Sequence, residues 1–235
     1  MKKIFLAALL SITAVSAFAS ESNEMDPRYF QISSMEVKPL NAMEEKLYFR
    51  DLNTMAGPGD VLGQLDGQLD LANIIFDKII NLGQKAWNII EKGRPVANVT
   101  TMVATALPQG AQAWNQLEQW QAPRSQSFRI TYKNGFGADV VDFVYRAVFV
   151  AGGSVQGKGK YIGYATVEPS VVNVLWGYTF NAEVTVPTVF KMGTSENPIG
   201  AMNLNVKWTV DTVLVHSQQS QSYFINALGE MKTLN

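Results

Sequence analysis

The chain has 235 residues, is 47% hydrophobic and 17% charged, and carries a net charge of -1. That balance supplies a sizeable core and excludes global disorder and a broad basic surface for nucleic acid. Cysteine is absent, which excludes thiol catalysis, thiolate metal sites, a disulfide-stapled scaffold and lipid attachment through a cysteine.

Lys2 and Lys3 begin the chain, residues 4–15 are almost wholly apolar, and Ala17-Phe18-Ala19 places small residues where a signal peptidase reads. This is the pattern of a secretory signal peptide. The apolar run falls short of the roughly 20 residues of a membrane span. Cleavage is expected after Ala19, giving an exported protein, periplasmic or secreted, in a style that reads as bacterial. Losing Lys2 and Lys3 makes the mature chain slightly more acidic.

Residues 20–59 form the N-terminal arm. An edge strand is expected over 29–37 and one or two helical turns over 43–52, before the Gly57-Pro58-Gly59 break. Asp60 suits a helix N-cap. Leu62, Leu65, Leu69, Ala72, Phe76, Ile79, Gly83, Ala86 and Ile90 are then spaced alternately by three and four. That spacing predicts a long amphipathic helix over 60–94, ended by Gly93 and Pro95.

After Pro95 the period changes to two, and residues 95–235 are expected to form an antiparallel β domain. Ala97, Val99, Thr101, Val103 and Leu107 share one face. A break follows over 108–123, with Trp114 and Leu117 on a short helix. Phe128, Ile130 and Tyr132 share the next face, Asn134-Gly135 signals a turn, and Val141, Phe143, Tyr145, Ala147 and Phe149 follow. Residues 152–159 read as a glycine-rich loop, and 161–167 as a short strand. Val172, Val174, Trp176, Tyr178, Phe180, Ala182, Val184 and Val186 alternate with mostly polar partners, with a bend at Gly177. Met202, Leu204, Val206, Trp208 and Val210 repeat the pattern. These one-sided patterns belong to antiparallel sheet over a core. The tail 217–235 reads as either helix or strand.

The fold class read from these patterns is mainly β with one long helix: an antiparallel β-sandwich or a strongly curved sheet, preceded by the amphipathic helix. Neither element can bury its apolar face alone, so helix and sheet are expected to form one globular unit.

The chemistry is sparse. His216 is the only histidine, so metal sites would need carboxylates. Asp60, Asp66 and Asp70 lack calcium-loop spacing. Asp211, His216 and a serine allow a triad formally, yet no Gly-x-Ser-x-Gly elbow exists. Glu168, Glu183 and Asp211 are available carboxylates for a hydrolase. Gly157-Lys158-Gly159-Lys160 lacks phosphate-loop spacing. Asn98-Val99-Thr100 matches a glycosylation pattern by chance. The mid-strand aromatics Trp176, Tyr178, Phe180 and Trp208 are expected in the core.

The residues singled out for surface contact are Trp114, Trp120, Lys158 and Lys160, with loops 152–159 and 188–199. No catalytic, metal or cofactor site is assigned. The expected function is non-enzymatic recognition or assembly at the cell envelope, with a protein or envelope ligand and no nucleic acid. A membrane-active or pore-forming role for the amphipathic helix and a carboxylate hydrolase are the alternatives.

Overall fold

The computed structural model describes residues 26–49, 69–90 and 97–234, with backbone alone for 84–90. The expected signal peptide and the Asp60 helix start lie outside the described residues.

The described chain is mainly β. It holds one short helix, α1 (Ala42–Tyr48), and eleven strands: β1 (Ile32–Pro39), β2 (Ile75–Ile80), β3 (Gln84–Ile90), β4 (Ala97–Gln109), β5 (Arg124–Asn134), β6 (Asp139–Val155), β7 (Lys158–Val174), β8 (Thr179–Gly193), β9 (Pro198–Asp211), β10 (His216–Asn226) and β11 (Met231–Leu234). The strands form one sheet in the order β1-β5-β6-β7-β4-β8-β9-β10-β11, with β2 and β3 also on β4. A further β7–β9 pairing closes a ring through β4, β7, β9 and β8.

This corrects the fold class. The core is a small four-strand barrel with long antiparallel wings, not a sandwich. Two of its joints, β4–β8 and β7–β9, are parallel. Small residues let the strands cross closely. β4 meets β7 at Ala104–Ala165 and Ala106–Ile162, and a Cβ on Gly200 would stand 3.1 Å from the Ala106 carbonyl oxygen.

The long amphipathic helix over 60–94 is also overturned within the described residues. Its second half is β2 and β3, both antiparallel to β4. Ile80 faces Leu107 and Gln84 faces Val103, so the register continues across the break at 81–83. Thr105 spans the gap: its hydroxyl accepts from Leu82 N at 2.8 Å, and its own N–H donates to Asn81 Oδ1 at 2.9 Å. Asn81 Oδ1 also accepts from Gly83 N. A side chain at Gly83 would strike the Val103 carbonyl, so the close backbone approach requires glycine. Of the residues in the three-and-four series, Leu69, Phe76 and Ile79 pack, together with Ile80 and Leu82, against a second apolar cluster around Leu107, Val155 and Tyr161.

That cluster explains the burial of β4. Its first half alternates, while both faces are covered from Val103 to Pro108. The main cluster fills the space between the β5-β6-β7 wing and the β8-β9-β10 wing. It contains Ile130, Phe143, Tyr145, Phe180, Leu204, Trp208 and Tyr223. Inside it Trp208 Nε1 donates to Tyr132 Oη at 3.0 Å, and the Tyr145 and Tyr223 hydroxyls share a 2.7 Å bond. Buried polar groups thereby keep partners.

The β part differs in detail as well. The expected short strand over 161–167 belongs to the seventeen-residue β7. The glycine-rich loop shrinks to Gln156-Gly157, both with positive φ, between Val155 and Lys158. The tail forms β10 and β11, both strands. The alternating run 172–186 is two strands meeting at a corner over 175–178.

α1 lies over the β5-β6-β7 wing. Asn41 caps it through a reciprocal box with Glu44. Glu45 accepts from Ser125 Oγ, and the Tyr48 carbonyl accepts from Ser170 Oγ.

Candidate functional site

Alternation of hairpins sorts the loops by end. The β5–β6, β7–β8 and β9–β10 turns lie at one end, where β1 also starts opposite Asn134. The β6–β7, β8–β9 and β10–β11 turns lie at the other.

Each turn at the first end carries large apolar side chains into solvent. Phe136, Leu175, Trp176, Val213 and Leu214 are 43% to 78% exposed. Local chemistry shapes each turn. Asn134 Oδ1 accepts from Phe136 N and Ala138 N, closing the first. In the second, Tyr178 N donates to the Leu175 carbonyl, with Gly177 at φ +81°. That sign is the glycine position of a tight turn, and it leaves Trp176 at the projecting corner. In the third, Thr212 Oγ1 accepts from Leu214 N and Val215 N.

Three consecutive residues tie these turns together. Arg28 gives its carbonyl to Gly135 N at 2.9 Å, and its guanidinium lies 4.6 Å from the Phe136 ring centroid. Tyr29 donates its hydroxyl to the Trp176 carbonyl at 2.9 Å, and its own carbonyl accepts from the Tyr178 hydroxyl. Phe30 gives its carbonyl to Thr212 Oγ1 at 3.0 Å, while its ring packs 6.2 Å from Trp176. Asp26 caps the preceding turn and holds Arg28 in a bidentate pair. The Arg28 hydrogen bonds hold the Asp26 carboxyl below its ordinary pKa. The result is an apolar end with a fixed shape.

The residues chosen from sequence sit elsewhere. Trp114 and Trp120 meet edge to face at 5.8 Å and pack, half-buried, on the second cluster. The Trp120 ring occupies the space a side chain at Gly153 or Gly163 would need. Lys158 places its ammonium 5.5 Å from the Phe76 ring centroid. Lys160 reaches the Gly152 carbonyl at 3.4 Å. Trp114, Trp120 and Lys158 therefore gather round one cluster near the far end, while Lys160 closes its own hairpin. Trp176 corrects the expectation of a core position: it is 68% exposed, whereas Trp208 is 1% exposed. Period two placed both on apolar faces; the corner at Gly177 removes Trp176 from the strand.

The acidic candidates have structural partners. Glu168 pairs with the buried Arg146 at 2.5 Å. Asp211 contacts both His216 and the Thr209 hydroxyl. His216 is exposed at the start of β10, and no serine hydroxyl hydrogen-bonds its ring among the described residues. Glu183 lines a shallow groove of about 340 Å³ with Asn98, Asn181, Lys207 and Thr209. There Asn98 donates to Asn181 at 3.0 Å and Asn181 to Thr209 at 3.2 Å. That ladder bridges the parallel β4–β8 joint. Among the described residues no group of three or more acidic or histidine side chains could hold a metal ion, and no helix is long and apolar enough to cross a membrane.

Alternating apolar periodicity identified the strands but not their tips. The available signal was the coincidence of large apolar residues with turn formers: Gly135-Phe136-Gly137, Leu175-Trp176-Gly177 and Thr212-Val213-Leu214. No family model, curated protein or solved structure matches this chain.

Proposed function

We propose that this is an exported, non-enzymatic protein of recognition or assembly at the cell envelope, working through the end that carries Phe136, Trp176 and Leu214. One observation supports the reading most: three separate turns present large apolar side chains at one end, and Arg28, Tyr29 and Phe30 hold those turns in a common frame. Large apolar side chains exposed together at one end mark a contact site, and prior ordering lowers the entropic cost of contact. The N-terminal pattern of residues 1–19 supports export.

A photo-reactive residue placed at Trp176 or Leu214 in living cells tests the reading. Adducts are expected at both positions, and none at Leu228 in the β10–β11 turn of the opposite end. The recovered chain is expected to begin at Ser20. Equal labelling at both ends, or a chain retained in the cytoplasm with Met1, would contradict the proposal. So would turnover of a substrate that one substitution abolishes.

A further inference from the structure

We infer that the occupant of the apolar end is a lipid bilayer, contacted by its acyl boundary rather than by its charge. The inference rests on the reading of this end as the working surface and gives it a partner.

Three features select a bilayer. The first is shape. The exposed side chains stand on three separate turns instead of lining a groove, so they suit a deformable surface. Trp176, with one polar atom on a large apolar ring, is the residue type that settles at a membrane interface. The second is charge. The ions bordering the tips are the pairs Asp26–Arg28 and Lys133–Asp139, with Asp211 beside His216 at the third turn, and they carry no positive excess. They provide no field for anionic headgroups. The attraction is therefore apolar, as for an interfacial segment.

The third is where the preceding chain joins the fold. Asp26 opens the turn that leads into Arg28, at the same end as the tips. The apolar run 4–15 lies upstream and ends eleven residues before Asp26. Eleven residues reach at most roughly 40 Å. While the apolar run is held by the membrane during export, the tips therefore stay within that distance of the bilayer. Their rigid frame does not have to form at the moment of contact.

Flotation of the full exported chain with neutral phosphatidylcholine vesicles tests this. The parent is expected to float, and to do so equally in low and high salt. Trp176→Ser and Leu214→Ser are each expected to weaken partition by about tenfold, since each removes one large apolar group from the contact. Leu228→Ser is expected to have no effect, although Leu228 is 49% exposed. Unchanged circular dichroism and melting would show that the variants fold. No flotation of the parent, loss of flotation in high salt, or equal effects of tip and far-end substitutions would overturn the bilayer inference. Protein adducts at Trp176 in cells, with no flotation, would leave the docking reading standing and assign the end to a protein partner.

Discussion

Glu168 shows how a residue that suits catalysis can be committed to structure. Its carboxylate accepts from Nε of Arg146 at 3.1 Å and from a terminal guanidinium nitrogen at 2.5 Å. The Arg146 side chain is only 3% exposed, with Glu45 at 3.9 Å and its guanidinium over the Phe49 ring. Breaking a buried pair strands a desolvated charge and costs about 3–5 kcal/mol. Glu45 stays beside Arg146 and glutamine keeps a carbonyl acceptor, so Glu168→Gln is expected to cost less, about 1–3 kcal/mol, read as a fall in the urea midpoint. A variant with the parent's midpoint would show that Arg146 does not depend on Glu168. The tyrosines give a second test at this scale. Burial pushes Tyr145, Tyr164, Tyr178 and Tyr223 above their ordinary pKa of about 10, and Tyr161 up to about 12. The folded state holds these protons more tightly than the unfolded chain. Their contribution is therefore fully present below pH 10 and lost as pH rises through the folded values. Each tyrosine ionised only in the unfolded chain adds about 1.4 kcal/mol per pH unit to that loss. Stability is expected to stay level from pH 8 to about 9.5 and to fall steeply above 10. A flat urea midpoint up to pH 11.5 would contradict this.

The segment Arg28–Phe30 is the element on which the proposed surface depends. Its ties to the Trp176 and Thr212 turns span 147 and 182 residues of sequence. No local pattern reports such contacts, which is why an edge strand near 29–37 was legible and its holding role was not. Tyr29→Phe removes the donor to the Trp176 carbonyl and is expected to cost about 1 kcal/mol. The Tyr178 amide, which closes that turn, should then exchange faster with solvent while the amides of β9 keep their protection. Slowed or unchanged exchange at Tyr178 would show that the tie does not restrain the corner. The β2–β3 segment illustrates the opposite failure. Ile75, Phe76, Ile79 and Ile80 carry the β-branched and aromatic character of strands, and Asn81-Leu82-Gly83 interrupts them. A three-and-four apolar spacing outweighed these signals. Phe76, Ile79, Ile80 and Leu82 pack near Leu107 and Tyr161 from strand and turn positions, and their match to a helical period is a coincidence.

At the scale of the whole molecule, alternation of apolar and polar residues made the inner faces of β5, β8 and β9 readable. Phe128, Ile130, Tyr132, Phe180, Leu204, Val206 and Trp208 are all buried. The closure of the barrel was not readable, because a period of two states which face is apolar and never which strand is the neighbour. The parallel joints β4–β8 and β7–β9 connect stretches far apart in sequence, while Ala104, Ala106, Ala165 and Gly200 let β4, β7 and β9 cross closely. Alternation of the strands puts the three apolar turns at one end, and the ties from Arg28–Phe30 that join them are visible only in three dimensions. The proposed function requires that the molecule meet its environment through that end. Hydroxyl-radical footprinting of the protein in intact envelopes, compared with the purified protein, tests it most directly. Strong protection of Phe136, Trp176 and Leu214 is expected, with Trp114, Trp120 and Leu228 oxidised as in the purified state. Full oxidation of the three tips in the envelope, with protection confined to the opposite end, would contradict it.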